Sequence, residues 1–224
     1  MISYNEFRKL SIQIAAKQFK QKPKSPSTLK SNKQLFFPDI PEKYTELHGN
    51  CIKLGYFWET LYNDLMKIST DIEISKYSGM TIDGVDSDTS RSGKKQIDMA
   101  FIKNGRLYIL EMKSNLELDN KAWPEVVKGC FSIANRINET DDSKPAISYI
   151  IFGPTNETIP EHGKIKMAED MIVSQHHAVS CEIQGWRWLT NMLGVDISSE
   201  QHYNLCREIG SMILGNKNWS DEIE

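Results

Sequence analysis

The chain is sparing with cysteine. It has four, Cys51, Cys130, Cys181 and Cys206, and none forms a C-x-x-C pair. That spacing argues against zinc-binding and thioredoxin-like frameworks, and reduced thiols are expected. Long apolar runs are missing as well. No stretch approaches the length that spans a bilayer, and no signal-peptide core is present, so a soluble, cytoplasmic protein without a membrane partner is expected. There is no internal repeat and no low-complexity tract. A glycine-rich phosphate loop of the G-x-x-x-x-G-K-[ST] type is absent, so nothing marks a nucleotide-driven motor. Excess positive charge is lacking too. A net charge of −3 and a pI near 6.0 argue against a protein that coats nucleic acid indiscriminately.

What is there is an ordinary globular composition, 39% hydrophobic and 25% charged over 224 residues, enough for a substantial core. Residues 1–47 are basic at first, with Arg8, Lys9, Lys17, Lys20, Lys22 and Lys24 set against Glu6. They read as an arm with one helix over 5–20, either a DNA-phosphate contact or a solvated terminus. Residues 48–153 read as the core, and 154–224 as a loop with C-terminal helices for recognition or dimerisation, all in the same globular domain.

The periodicity predicts a helix over 50–68, with Glu59 among its apolar residues. It predicts a strand over 70–77 and a turn-rich loop or ragged hairpin over 79–95. A helix over 122–138 follows, with a stripe of Trp123, Val126, Val127, Cys130, Ile133, Ala134 and Ile137, and then a buried strand over 146–153. Residues 154–182 read as polar and irregular, with His162, His176 and His177 as surface residues. Two helices close the chain. The expected class is α+β, layered, with a central mixed sheet between helices.

The densest chemistry lies in residues 96–113, Q-I-D-M-A-F-I-K-N-G-R-L-Y-I-L-E-M-K. Asn104-Gly105 between two apolar runs is the strongest short hairpin signal. A type I′ turn there pairs Lys103 with Arg106 and, counting outward, Met99 with Leu110 and Asp98 with Glu111. Lys113 shares the Glu111 face, opposite Gln96, by strand alternation. Like charges facing each other destabilise a sheet, which makes sense if a divalent cation lies between them. The plain alternative is an ion pair between Lys113 and one of the acids at a wet strand end.

The pattern D…E-x-K on adjacent strands, Ile97-Asp98-Met99 and Glu111-Met112-Lys113, resembles the PD-(D/E)xK nuclease superfamily, which includes most type II restriction endonucleases. Ile97 stands where the family often has proline, and the literal Pro38-Asp39 lies far upstream without a strand pattern. The resemblance covers roughly residues 50–153 and implies a restriction-endonuclease-like core. It implies an endodeoxyribonuclease that binds Mg²⁺ through Asp98, Glu111 and the Met112 carbonyl, with Glu59 as a further acid and Lys113 beside the attacking water. The products would be a 5′-phosphate and a 3′-hydroxyl.

Arg91, Lys94 and Lys95 would touch the phosphates of double-stranded DNA. A type II restriction endonuclease is the favoured member of the family, as a homodimer with a cognate methyltransferase as genetic partner. The alternatives are a repair, junction-resolving or transposon-end nuclease, or a catalytically silent DNA-binding protein of the same fold.

Overall fold

In the computed structural model, residues 1–19, 41–86, 93–113, 116, 122–159, 163–174 and 179–213 are described. The chain divides into two compact units, Met1–Ile2 with Tyr62–Asp196, and Ser3–Leu61 with Ile197–Glu224.

The first unit is a mixed sheet between helices, the α+β layered class. Its strands are β1 (Glu73–Ile74), β4 (Met99–Lys103), β5 (Arg106–Met112), β6 (Ala146–Gly153) and β7 (Ser180–Gly185), in the order β1-β4-β5-β6-β7. β1 and β4, and β4 and β5, run antiparallel; β5, β6 and β7 run parallel. β2 (Thr81–Asp83) and β3 (Lys94–Gln96) make a separate two-stranded sheet. The helices are α3 (Ala122–Thr140), α4 (Gly163–Ser174) and α5 (Trp186–Met192), together with residues 62–68 of α2 (Pro41–Ile68).

The hairpin register is the expected one, from Lys103↔Arg106 through Met99↔Leu110. Asn104 at φ 52° and Gly105 at φ 74° are both left-handed, as a type I′ turn demands. Between β5 and its parallel neighbour β6 a crossover is obligatory, and α3 supplies it. Every residue of the expected α3 stripe is buried. These side chains pack on Ala100, Leu107, Ile109, Ile147, Tyr149, Ile151, Cys181 and Ile183. On the opposite face, the Tyr62 ring meets Phe152 edge-on at 5.0 Å.

Three expectations are corrected, and one alternative is decided. The strand expected over 70–77 is only the two-residue edge strand β1, because the chain turns after Ser75, whose carbonyl accepts the Ser78 amide at 3.1 Å. Of the two forms expected over residues 79–95, the structure has the ragged hairpin, β2 with β3. Residues 154–182 are not simply irregular. α4 buries Ile165 and Ala168 one turn apart, and β7 buries Cys181 and Ile183 while exposing Glu182. Two inward residues in so short a strand carry little sequence signal, and parallel pairing to β6 fixes the strand.

The third correction concerns Ile97. Strand alternation places it with Met99 and Phe101, yet it packs with Ala100 and Ile109. The chain bends at Asp98, and the Ile97 amide and carbonyl bond to Met80 and Gly79 instead of to β5.

The second unit holds α1 (Tyr4–Phe19), α2 up to Leu61, and α6 (Ser199–Ile213). The helix expected over 5–20 is present and buries Phe7, Ser11, Ile14 and Ala15 on one stripe. Arg8 forks onto Glu208 at 2.7 and 3.0 Å, tying α1 to α6. The Trp58 ring stacks on the buried His202 at 5.8 Å. Among the described residues no helix is long and apolar enough to cross a membrane.

Candidate active site

Asp98, Glu111, Lys113 and Lys95 converge at one end of the sheet, where β5, β6 and β7 finish and β4 begins. Glu111 is the centre of the group. It lies on β5 beside Ile151 of β6 and is 5% exposed, because its side chain shares the face that α3 covers. A carboxylate so buried needs compensation, and two lysines provide it. Lys113 Nζ stands 2.6 Å from Oε1, and Lys95 Nζ stands 3.1 Å from Oε2. Burial pushes the Glu111 carboxyl up, but the Lys113 and Lys95 ammoniums outweigh it and hold the group below the usual carboxylate range. Burial pulls the Lys113 ammonium down, and Glu111 with help from Asp98 more than restores it, so its pKa rises.

Asp98 is half-buried, one residue outside the hydrogen-bonded ladder, which ends at Met99↔Leu110. The expected cross-strand pair with Glu111 is therefore replaced by a different bond: Asp98 Oδ2 accepts the Met112 amide N–H at 2.7 Å. Lys113 likewise has no Gln96 opposite it. Gln96 pairs with Thr81 in the small sheet, and the Lys113 amide donates to the Phe152 carbonyl at 2.9 Å.

The structure brings Lys95 into this group in a way the sequence reading did not foresee. β3 alternates, so Lys94 and Gln96 point to solvent while Lys95, paired with the buried Ile82, points inward. Its side chain is 13% exposed. Lys94 instead meets the exposed Asp83 at 3.3 Å. Arg91 lies outside the described residues, as do His162, His176 and His177. Glu59 stands half-buried on α2 in the second unit, and burial raises its carboxyl.

Tyr149 was also missed. Its position beside Ile109 puts it on the Glu111 face, fully buried, with no hydrogen-bond partner for its hydroxyl among the described residues. Burial pushes that phenol far up, and it pushes the neighbouring Cys130 thiol up too, so neither is an ionised nucleophile.

The donor set suits a hard cation. Carboxylate oxygens from Asp98 and Glu111 are the ligands Mg²⁺ prefers. Glu111 Oε2 is a buried oxygen with no well-formed hydrogen bond, since Lys95 approaches it out of line. A buried acceptor left in that state is uncommon and asks for an explanation. No cluster of three or more acidic, histidine or cysteine ligands occurs among the described residues. Such a site would therefore rest on two carboxylates and backbone or water oxygens.

A cleft of about 490 Å³ opens elsewhere on the same unit, beside α3, lined by Asp86, Lys128, Phe131 and Arg136 among others. Its charges sit in exposed pairs, Lys128 with Asp86 at 2.9 Å and Arg136 with Glu139 at 2.8 Å. Pairs of that kind contribute little and are ordinary surface features.

Comparison with protein-family models, with curated proteins and with solved structures finds no match for this chain.

Proposed function

We propose that this chain is a Mg²⁺-dependent endodeoxyribonuclease of the PD-(D/E)xK type, a type II restriction endonuclease that hydrolyses double-stranded DNA to a 5′-phosphate and a 3′-hydroxyl. The observation that carries the reading is Glu111. It is an almost fully buried acid whose second oxygen lacks a good hydrogen bond, with Asp98 at the adjacent strand end and Lys113 at 2.6 Å. The order of helix, antiparallel strands, helix and parallel strand from α2 to β6 supports it further.

Asp98 and Glu111 would hold the cation, with the Met112 carbonyl as a third oxygen. Mg²⁺ bound there would supply Lewis acidity and a bound water of lowered pKa. The chain's own part is to orient and neutralise. The Met112 amide fixes one oxygen of Asp98. Lys113 holds the attacking water and places its ammonium against the charge that develops on phosphorus. The new bond joins the water oxygen to phosphorus, the bond to the 3′-oxygen breaks, and that oxygen takes up a proton. Lys94, exposed on β3, would contact the DNA backbone. Cleavage of both strands of a palindrome would call for a C2 homodimer, with a methyltransferase protecting the host sites.

One observation favours a second reading. Two lysines stand against the Glu111 carboxylate, one at each oxygen, which also suits a non-catalytic DNA-binding protein. Incubation of the chain with plasmid and Mg²⁺, followed by run-off sequencing of the ends, separates the two. Ends at one short sequence, abolished by chelation, are expected. Intact plasmid that is nonetheless bound would overturn the nuclease reading.

A further inference from the structure

Lys95 has a position that phosphate contact does not explain. Three features set it apart from Lys94, its neighbour on the same strand. Its side chain turns inward, opposite buried Ile82. It retains 13% of its exposure, against 59% for Lys94. Its ammonium stands 3.1 Å from Glu111 Oε2, the oxygen that has no well-formed hydrogen bond.

Lys113 already neutralises the other oxygen of Glu111 at 2.6 Å. A second cation is thus surplus to the charge of Glu111 itself, and it occupies the side of the carboxylate left over for a ligand. Lys95 also comes from the two-stranded sheet β2–β3, not from the main sheet that carries Glu111. Its ammonium could be withdrawn without unmaking the backbone ladder of β4, β5 and β6.

We infer that Lys95 is a resident counter-ion of the candidate metal site: its ammonium holds the cation position at Glu111 Oε2 and yields it to a divalent ion, so that Lys95 sets the affinity of the site for metal. The inference rests on the nuclease reading above and adds a positioning residue to it. In the free protein Lys95 lies against the buried Glu111 carboxylate. On metal binding the lysine must leave Glu111, and the cost of its leaving weakens binding.

The test is direct Mn²⁺ titration, by electron paramagnetic resonance or calorimetry, on the full chain at fixed ionic strength. Lys95→Gln should bind Mn²⁺ about tenfold more tightly than wild type, the order that removal of one nearby unit charge gives even in a water-like dielectric. Lys95→Arg should bind as wild type does. Affinity in Lys95→Gln that is unchanged or weaker overturns the inference while leaving the nuclease reading standing. Absence of any Asp98-dependent Mn²⁺ binding in the wild type overturns both.

A second measurement needs no variant. Saturating Mg²⁺ should raise the rate at which Lys95 is acetylated by an amine-reactive ester, read by mass spectrometry, relative to the exposed Lys94. An unaltered ratio means that the ammonium stays where it is, and the inference fails.

Discussion

The carboxylate of Asp98 is bonded to the backbone of Met112, Oδ2 to amide N–H, at 2.7 Å. Had the hairpin ladder continued for two more residue pairs, the Ile97 carbonyl would have taken that amide. It is bonded to Gly79 instead. A side chain thus completes the edge of β5 where the neighbouring strand peels away, and one oxygen of Asp98 is oriented before any ligand arrives.

Asp98→Asn and Asp98→Ala should therefore part company. The asparagine keeps an oxygen for the Met112 amide, and its urea unfolding free energy should stay within about 0.5 kcal/mol of wild type. The alanine leaves that amide unpaired and should cost about 1–2 kcal/mol. Both should reduce Mg²⁺-dependent plasmid cleavage by at least about a hundredfold. Wild-type cleavage by the asparagine variant would remove Asp98 from the site.

Glu111→Gln and Lys113→Ala probe the buried pair. The glutamine leaves two ammoniums without their anion and should destabilise the fold by about 1–3 kcal/mol. Lys113→Ala leaves Glu111 with Lys95 alone and should lose nearly all cleavage while DNA affinity, followed by fluorescence anisotropy, changes no more than a few-fold. Turnover retained in both variants would mean that the chemistry lies elsewhere.

Lys94 is the exposed cation of β3, and its contact with Asp83 is a surface pair that contributes little. Lys94→Ala should weaken DNA binding and lower the slope of log K against log salt by about 1. An unchanged slope would place it outside the interface.

Asp141 gives a pH dependence away from the site. It follows α3 and accepts from the Ser143 hydroxyl and amide at 2.6 and 3.0 Å and from the Tyr77 hydroxyl, with Lys76 alongside. Those bonds, with Ser143 foremost, hold its carboxyl far below the usual range. A depressed carboxylate contributes stability that is present above its unfolded pKa and is lost as pH falls towards the folded one. Asp141→Asn should therefore lower the melting temperature at pH 7, and the gap to wild type should narrow progressively as pH falls below about 4. A gap that persists at low pH would rule out the carboxylate as its source.

The sequence by itself determined the hairpin, its register and the α3 stripe. Asn104-Gly105 is one of the few dipeptides that accept two left-handed residues in succession, and a two-residue turn leaves no freedom in the pairing that follows. The helical spacing from Trp123 to Ile137 likewise has one solution. The hairpin count also brought Asp98, Glu111 and Lys113 to one end of the sheet, but not the expected Asp98–Glu111 pair, because the chain leaves the ladder at Met99.

Tertiary structure alone decided the rest. β7 exists because β6 offers it a parallel edge, and its end is tight: a Cβ at Gly185 would lie 2.3 Å from the Asn156 carbonyl. Ile97 changes faces because its backbone finds partners at Gly79 and Met80. Lys95 reaches Glu111 because two sheets pack together, and no residue spacing records that distance. Turns and helical stripes are settled by neighbours along the chain, whereas a buried charge finds its partner only once separate layers have met.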